Sequence, residues 1–387
     1  MARLGDVCAF FSGTGFPNAF QGRHSGKYPF YKVGDISKNV LLGNRELVAC
    51  DNYIDDDIVK EIKGFILPPQ TVVFAKIGEA LRLNRRAITQ NYCLIDNNAM
   101  GIKAKNDVLD TLYFYYFMCN VDLQHYCEST TVPSVRKTRI AEIDIPLPPL
   151  DEQRKIAAVL DKVSDLIAKR RQQLDKLDEL VKARFVEMFG DEHHLDSWNC
   201  VSVGDIADIC VGVVIKPTQY YTDQSGTPAF RSLNVGAMTI KNTDWVYFTK
   251  EGHEKNKKSI VRENDVLVIR SGAPGTACIV TKEFAGYNAV DIIIAHPNTE
   301  KINPVFLAMF TNMPHGMNQI REKTGGAAQQ HFNVGGYKSL TVILPPIELQ
   351  DQFAAFVKQT EKAKKTIRLS LDNLETLKKS LMQKYFE

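Results

Sequence analysis

Two long stretches without glycine or proline constrain this chain more than any other feature. They run from Glu152 to Phe189 and from Glu348 to Glu387. Apolar residues recur in both at alternating three- and four-residue steps, the seven-residue repeat of paired helices. At about 1.5 Å per residue, a helix of about 39 residues is roughly 58 Å long. We therefore predict two long amphipathic helices of matching length.

The predicted contact face of each helix consists of the apolar residues on this repeat. They are Leu160, Val163, Ile167, Leu174, Leu177 and Val181 in the first helix, and Phe353, Phe356, Ile367, Leu374, Leu377 and Leu381 in the second. Helices of equal length with charged flanks favour pairing with each other as a coiled coil. Separate packing of the two helices on one globular core is the alternative.

A similar proline-rich junction precedes each helix. It reads PLPPLDEQ from Pro146 to Gln153 and LPPIELQ from Leu344 to Gln350. Proline cannot continue a strand ladder or sit inside a helix, whereas an acidic residue is favoured at a helix N-terminus. Each junction therefore marks the end of a globular domain and the start of a long helix.

Other short segments also recur at a nearly constant spacing. The matched pairs are 4–7 with 203–206, 29–36 with 228–235, 72–78 with 266–272, 98–100 with 288–290, and 143–149 with 340–346. The third pair places Arg270 over Lys76. A repeat at fixed spacing indicates a duplicated fold.

The duplication predicts an α+β fold class, with two homologous mixed α/β domains in a pseudo-twofold arrangement, separated by the two helices. The predicted segments are a first domain (1–150), a central helix (151–190), a second domain (191–347) and a C-terminal helix (348–387). Two related domains with different loops provide two binding faces, which suits a long regular ligand such as duplex DNA.

Composition argues against several classes of protein. No run of about 18 apolar residues is present, and the N-terminus lacks the layout of a signal peptide, so we expect a cytoplasmic protein without a membrane span. The eight cysteines are scattered singly, without a C-x-x-C motif, so neither a disulfide framework nor a metal site is predicted. The net charge is only +3, so a nucleic-acid surface requires a local concentration of basic residues.

Recognisable catalytic motifs are also missing from the sequence. There is no GxxxxGK[ST] phosphate loop, no HExxH and no Asn/Asp-Pro-Pro-Tyr/Phe motif of adenine methylases. A carboxylate-x-Lys pattern at 61–63 resembles a nuclease site, but this pattern is common by chance. Nothing in the sequence therefore assembles a nucleophile with a base, and an enzyme stays open at this point.

The segment PLPPLDEQRKIAAVLDKVSDLI, its second copy and the two divergent repeats together resemble the specificity subunit of type I restriction–modification systems. The resemblance spans essentially the whole chain, although Leu349 stands in the second junction where the first has Glu152. It implies that each repeat is a target-recognition domain for one half of a bipartite, asymmetric DNA site. It also implies that the helices form an antiparallel coiled coil, which sets the half-site spacing and docks two modification subunits.

The resemblance further implies where the chemistry resides. The partner modification subunits would bind S-adenosylmethionine and methylate adenine, and a translocating restriction subunit can join them. This chain would bind no cofactor and would do no chemistry itself, so the resemblance implies a non-catalytic subunit. Two other functions stay open from the residues alone: a free-standing fused DNA methyltransferase, and a two-domain scaffold for protein partners without DNA.

Basic, amide and aromatic side chains of the repeats are the candidates for DNA contact, because Arg and Lys suit guanine whereas Asn and Gln suit adenine. Those of the first domain are Lys76, Arg82, Arg85, Arg86, Arg136, Lys137 and Arg139. Those of the second are Tyr220, Tyr221, Arg231, Lys255, Lys257, Lys258, Arg270, Gln329, Gln330 and His331. An ordinary solvated side chain, or core packing for the tyrosines, is the alternative in each case.

Overall fold

The computed structural model describes residues 1–48, 50–127, 132–191, 198–324 and 331–387. The chain divides into two compact units. Unit 1 comprises Met1–Gln173 and Ile367–Glu387, and unit 2 comprises Leu174–Thr366. Each unit contains one repeat and part of both long helices.

Short strands and helices make up the first repeat. The strands are β1 (Ala2–Arg3), β2 (Cys8–Ser12), β3 (Tyr28–Tyr31), β4 (Glu46–Leu47), β5 (Tyr53–Ile54), β6 (Val72–Ala75), β7 (Ala87–Thr89), β8 (Leu94–Ile95), β9 (Ala99–Ala104) and β10 (Asp144–Ile145). The helices are α1 (Leu4–Val7), α2 (Val33–Leu41), α3 (Asp56–Glu61), α4 (Glu79–Arg82), α5 (Thr111–Asn120) and α6 (Lys137–Ala141), followed by the long helix α7 (Leu150–Phe189).

The second repeat follows the same plan. Its strands are β11 (Cys200–Ser202), β12 (Ala207–Val211), β13 (Tyr221–Thr222), β14 (Thr227–Phe230), β15 (Val235–Gly236), β16 (Thr239–Ile240), β17 (Val246–Phe248), β18 (Val266–Ile269), β19 (Ala277–Ile279), β20 (Asn288–Ala289), β21 (Ile292–Pro297) and β22 (Thr341–Ile343). Its helices are α8 (Val203–Ile206), α9 (Lys250–Lys255), α10 (Pro304–Asn312), α11 (Pro314–Thr324) and α12 (Val334–Lys338), followed by the long helix α13 (Ile347–Phe386).

The sheets of the two repeats have matching strand orders. The main sheet is β2-β9-β6-β7-β4 in the first repeat and β12-β21-β18-β19 in the second. A smaller sheet contains a parallel pair in both, β3 with β8 and β14 with β20. The shared topology confirms the predicted duplication and the mixed fold class.

One predicted match, that of Asn98 with Asn288, is wrong. Asn288 pairs in parallel with β14, just as Leu94 pairs with β3, so these two residues are equivalent. Met100, which pairs with β6, corresponds to Ile293, which pairs with β18. The match was misled by an Asn-Ala pair that both repeats contain. The first pair leads into β9, whereas the second forms β20, which is the counterpart of β8.

Each main sheet packs against an aromatic or apolar helix, and the long helices close the resulting core. In unit 1, α5 covers the sheet, and Leu160 of α7 and Phe386 of α13 join the same buried cluster. In unit 2, α10 takes this place, and Phe189 of α7 and Phe353 of α13 join the cluster. Burial of these side chains holds the helix ends to the repeats.

The long helices pack against each other within each unit. In unit 1, the Arg171 guanidinium lies 2.6 Å from the Glu375 carboxylate, and Arg170 Nε donates to Ser370 Oγ at 3.2 Å. These contacts join the middle of α7 to the later part of α13. In unit 2, the later part of α7 meets the first part of α13, where the ring centres of Phe185 and Phe353 lie 5.4 Å apart. The predicted antiparallel pair is therefore confirmed.

The apolar face of α13 differs in phase from the predicted one. Leu377 is 46% exposed and lies outside the contact, so its assignment to the helix pair is corrected. The buried positions step through Phe353, Val357, Thr360 and Lys364, a four-then-three spacing that shifts the contact face away from Leu377. Other predicted residues are buried (Leu160, Val163, Ile167, Val181) or half-buried (Leu174, Leu177, Phe356, Ile367, Leu374, Leu381).

Within the described ranges, none of the helices combines the length and apolar character that a membrane crossing requires.

Candidate nucleic-acid interface

A buried glutamine connects α7 to the first repeat. Gln153 lies in the first turn of α7 and is fully buried. Its Oε1 accepts a hydrogen bond from the backbone N–H of Asp110 at 2.8 Å. Its Nε2 donates to the backbone carbonyls of Val108 at 3.0 Å and Pro148 at 2.8 Å. Asp110 in turn caps α5, so one side chain connects the start of α7 to the start of α5.

Gln350 does the same for α13 and the second repeat. It is fully buried, and its Oε1 accepts from the backbone N–H of Asn303, the N-cap of α10, at 2.9 Å. Its Nε2 donates to the carbonyls of Pro345 at 2.8 Å and Lys301 at 3.4 Å. Sequence reasoning missed this role, although a glutamine at the same place in both junctions was the available signal.

A basic surface in the first repeat lies where β6 ends. Lys76 follows β6, and its backbone carbonyl accepts from the N–H of buried Val135 at 3.0 Å. This contact brings the exposed Arg136 and Lys137 beside the strand end. The Lys137 ammonium lies 5.6 Å from the ring centre of Phe10. We call Lys76, Arg136 and Lys137 the first strand-end surface.

The second repeat has an equivalent surface where β18 ends. The backbone carbonyl of Arg270 accepts from Phe332 N–H at 2.9 Å, which repeats the contact between Lys76 and Val135. The Arg270 guanidinium donates to the Phe332 carbonyl at 3.2 Å and pairs with Asp291 at 2.5 Å. Ser271 Oγ lies 2.8 Å from Nδ1 of the exposed His331. We call Arg270, Ser271, Asp291 and His331 the second strand-end surface.

The two surfaces share a backbone framework but present different chemistry. The chain turns after each strand end at a glycine with positive φ, Gly78 at 74° and Gly272 at 86°, which a side chain would strain. The first surface is basic, whereas the second combines an arginine, a carboxylate, a hydroxyl and an imidazole. Such side chains form hydrogen bonds with base edges and phosphates.

The remaining basic candidates of the first repeat lie around this framework. Arg82 is exposed and pairs with Glu79 at 3.2 Å, and Arg139 is exposed and pairs with Glu142 at 3.3 Å. Exposed ion pairs are weak, so both guanidinium groups can exchange these partners for phosphates. Arg85 is half-buried.

Arg86 lies inside the first repeat, which corrects the expectation that it joins the surface. Only 2% of the residue is exposed, and its guanidinium stacks at 4.8 Å on the ring of Phe74. It donates to the Arg85 carbonyl at 3.1 Å and to Asn84 Oδ1 at 2.5 Å. Burial lowers the pKa of Arg86 to about 10. A side chain held in this way has no face to present to DNA.

The remaining candidates of the second repeat are spread over several elements. Tyr220 and Tyr221 are half-buried and pack against Phe248, in agreement with the core alternative. Lys255 pairs with Glu251 at 2.6 Å. Exposed Lys257 and Lys258 lie in a short 3-10 turn, and half-buried Arg231 donates to the Asp244 carbonyl. Gln329 and Gln330 lie outside the described residues.

No group of three or more His, Cys, Asp or Glu side chains that could hold a metal ion occurs among the described residues. The geometry at the strand ends is suited to hydrogen bonding and charge pairing with a polyanion.

Comparison with known families gives two matches along the chain. The family model described as "Type I restriction modification DNA specificity domain" matches residues 1–179 and 196–375. Each match covers one repeat together with most of the long helix that follows it.

Relatives match over most of the chain at low identity. The type I restriction enzyme MjaVIII specificity subunit of Methanocaldococcus jannaschii is 22% identical over 410 aligned residues, covering 99% of this chain and 90% of the relative. The EcoBI specificity subunit of Escherichia coli is 21% identical, covering 84% of this chain and 74% of the relative.

Solved structures show the same fold. A type I restriction–modification S subunit from M. genitalium matches with a TM-score of 0.58 at 14% identity, covering 100% of this chain and 95% of that one. A chain from a structural study of type I complex assembly also gives a TM-score of 0.58, at 16% identity, covering 99% and 96%.

Proposed function

The chain belongs to the family of type I restriction–modification DNA specificity domains, and we propose that each of its two repeats reads one half of a bipartite, asymmetric DNA site. The relatives are specificity subunits, so the function of this chain is DNA recognition rather than catalysis. We place its action in the cytoplasm.

One observation carries the proposal of an asymmetric site. The same strand framework presents lysine and arginine side chains at one strand end, and an Arg270–Asp291 pair with Ser271 and His331 at the other. Equivalent backbones approach DNA in equivalent ways, whereas different side chains select different bases. Two such modules on one chain therefore read two unlike half-sites.

The same proposal identifies the protein partners of this chain. The antiparallel helix pair sets the spacing between half-sites and docks two modification subunits, which bind S-adenosylmethionine and methylate adenine. A restriction subunit can join this complex. The buried glutamines support this role for the helices, because Gln153 and Gln350 fix the direction in which each helix leaves its repeat.

Reconstitution tests the proposal. The purified chain is mixed with a type I modification subunit, S-adenosylmethionine and genomic DNA, and methylated adenines are mapped by sequencing. We expect no methylation by the chain alone, and methylation of one split sequence by the mixture. Methylation by the chain alone would indicate a fused methyltransferase, and sequence-independent methylation by a stable complex would indicate a scaffold.

Single substitutions test the strand-end surfaces. Lys76→Ala should reduce the salt dependence of DNA binding by about one phosphate contact, or weaken one base preference by about 1–3 kcal/mol. The control is Lys60→Ala, which removes an exposed lysine on α3 outside both surfaces. Equal effects of the two substitutions would count against the first strand-end surface.

A further inference from the structure

A cysteine and a histidine on two neighbouring strands of the second repeat lie next to an aspartate at the start of a third strand. Cys210 on β12 pairs with Ile294 on β21, so it shares a sheet face with His296, two residues further along β21. Asp265 directly precedes β18, and the register of β18 with β21 continues to place it opposite His296. The strand pairing alone therefore aligns the three side chains.

The distances match a relay of hydrogen bonds. His296 Nδ1 lies 2.6 Å from Asp265 Oδ1, and His296 Nε2 lies 3.8 Å from Cys210 Sγ. Asp265 is 3% exposed, and its other oxygen accepts from the Arg262 N–H at 2.6 Å, which fixes the carboxylate. Cys210 Sγ also donates to the Lys258 carbonyl at 3.3 Å.

The charge state of the histidine fits this arrangement. The hydrogen bond to Asp265, together with the contact to Cys210, raises the pKa of His296 to about 9. The imidazolium form is therefore favoured beside the sulfur, and a positive group beside a thiol favours the thiolate. A carboxylate that orients an imidazolium, and an imidazolium that contacts the thiol, are the elements of an activated cysteine.

The fold does not require these residues. The equivalent positions of the first repeat hold Phe11, Thr71 and Lys103, yet the strands pair in the same order. The described residues also contain no group arranged to hold a metal ion, so the constellation is not a metal site. Cys210 is half-buried on an edge strand of its sheet, where a small molecule can reach the sulfur.

We propose that Cys210 is an activated nucleophilic thiol, with the His296 imidazolium as its positively charged partner and Asp265 as the positioning residue, and that it is a modification site for low-molecular-weight disulfides. The thiol of Cys210 releases its proton to solvent, and the thiolate, which faces the His296 imidazolium, attacks one sulfur of the disulfide. A protein mixed disulfide forms, the original S–S bond breaks, and the departing thiolate takes up a proton from solvent. This site is independent of the proposed DNA reading.

Thiol labelling of the full chain tests the proposal. The protein is treated with glutathione disulfide at neutral pH, and mixed-disulfide formation at each cysteine is followed in time by peptide mass spectrometry. Cys200 is exposed and serves as the internal reference. We expect Cys210 to react at least about tenfold faster than Cys200, although it is less exposed.

A matched pair of variants separates activation from accessibility. His296→Gln should slow Cys210 by at least about tenfold, to the rate of Cys200 or below. The control is His253→Gln, because His253 is also half-buried in this repeat but bonds to the Asn288 amide at 2.7 Å. It should leave the rate unchanged.

Two results would overturn the proposal. The first is a wild-type reaction rate at Cys210 no greater than that at Cys200. This comparison needs no variant, so it tests the proposal even if His296→Gln does not fold. The second is a folded His296→Gln variant, judged by tryptophan fluorescence, in which Cys210 reacts as fast as in the wild type.

Discussion

Replacing the buried glutamine Gln153 with leucine probes how α7 holds the first repeat. The change keeps a side chain of similar size but removes the partners of one backbone N–H and two carbonyls. Leaving the N–H without a partner costs about 2 kcal/mol of folding free energy. Each carbonyl costs about 1 kcal/mol, because a carbonyl oxygen keeps a second acceptor site. Burial of the leucine side chain offsets about 1–2 kcal/mol of this loss. We therefore expect a net destabilisation of about 2–3 kcal/mol.

The matched substitution Gln350→Leu probes α13 in the same way. Its contact to the Lys301 carbonyl is long, 3.4 Å, so the loss should lie at the lower end of this range. Both tryptophans, Trp198 and Trp245, lie in unit 2. Their fluorescence during urea unfolding therefore reports Gln350→Leu, whereas circular dichroism and amide exchange at the start of α5 report Gln153→Leu.

The control substitution is Gln172→Leu on the exposed face of α7. Glutamine and leucine have similar helix propensities, and exposed substitutions usually change stability by less than about 0.5 kcal/mol. If Gln153→Leu costs no more than Gln172→Leu, the hydrogen bonds to Asp110, Val108 and Pro148 do not hold the helix, and the reasoning fails.

Three further predictions concern charged side chains that are buried or half-buried. Lys364 is 5% exposed in the helix pair and pairs with Asp178 and Glu361, so the double variant Asp178→Ala/Glu361→Ala should lose about 2–4 kcal/mol in urea unfolding. Adding Lys364→Met should recover most of that loss; no recovery would contradict the role of the buried ammonium. Arg86→Met should change DNA affinity less than about twofold, because Arg86 is buried on Phe74, and a larger loss in a DNA titration would return it to the interface. Finally, the raised pKa of His296 stabilises the fold fully below about pH 6.5, and this contribution is lost as pH rises towards about 9. The unfolding free energy should therefore fall by about 2–3 kcal/mol more between pH 6 and pH 9 in the wild type than in His296→Gln, and parallel pH profiles would refute the linkage.

The architecture was readable from the sequence because its main signals are long and local. A seven-residue repeat that continues through a 40-residue helix stays recognisable even where single positions depart from it. The prolines fix where each helix begins. The structure starts α7 at Leu150 and α13 at Ile347, directly after the prolines. Segment matches between the repeats held wherever a strand or helix gave them several consecutive residues.

Details that depend on distant partners were not readable. Leu377 follows a plausible heptad, but in its own unit it is Met382 and Phe386 of α13 that join the buried cluster. Arg86 belongs to a basic cluster in the sequence, and only the fold brings the Phe74 ring beneath it. Cys210 and His296 are 86 residues apart, so no local pattern joins them.

The central claim is that two related modules read two separate half-sites. Exchanging residues 196–346 for the same segment of another family member tests it most directly, with methylated adenines mapped by sequencing in a host that supplies the modification subunit. The account predicts that one half of the methylated sequence changes while the other half and the spacer length are kept. A change in both halves, or in neither, with an assembled and active complex would contradict it.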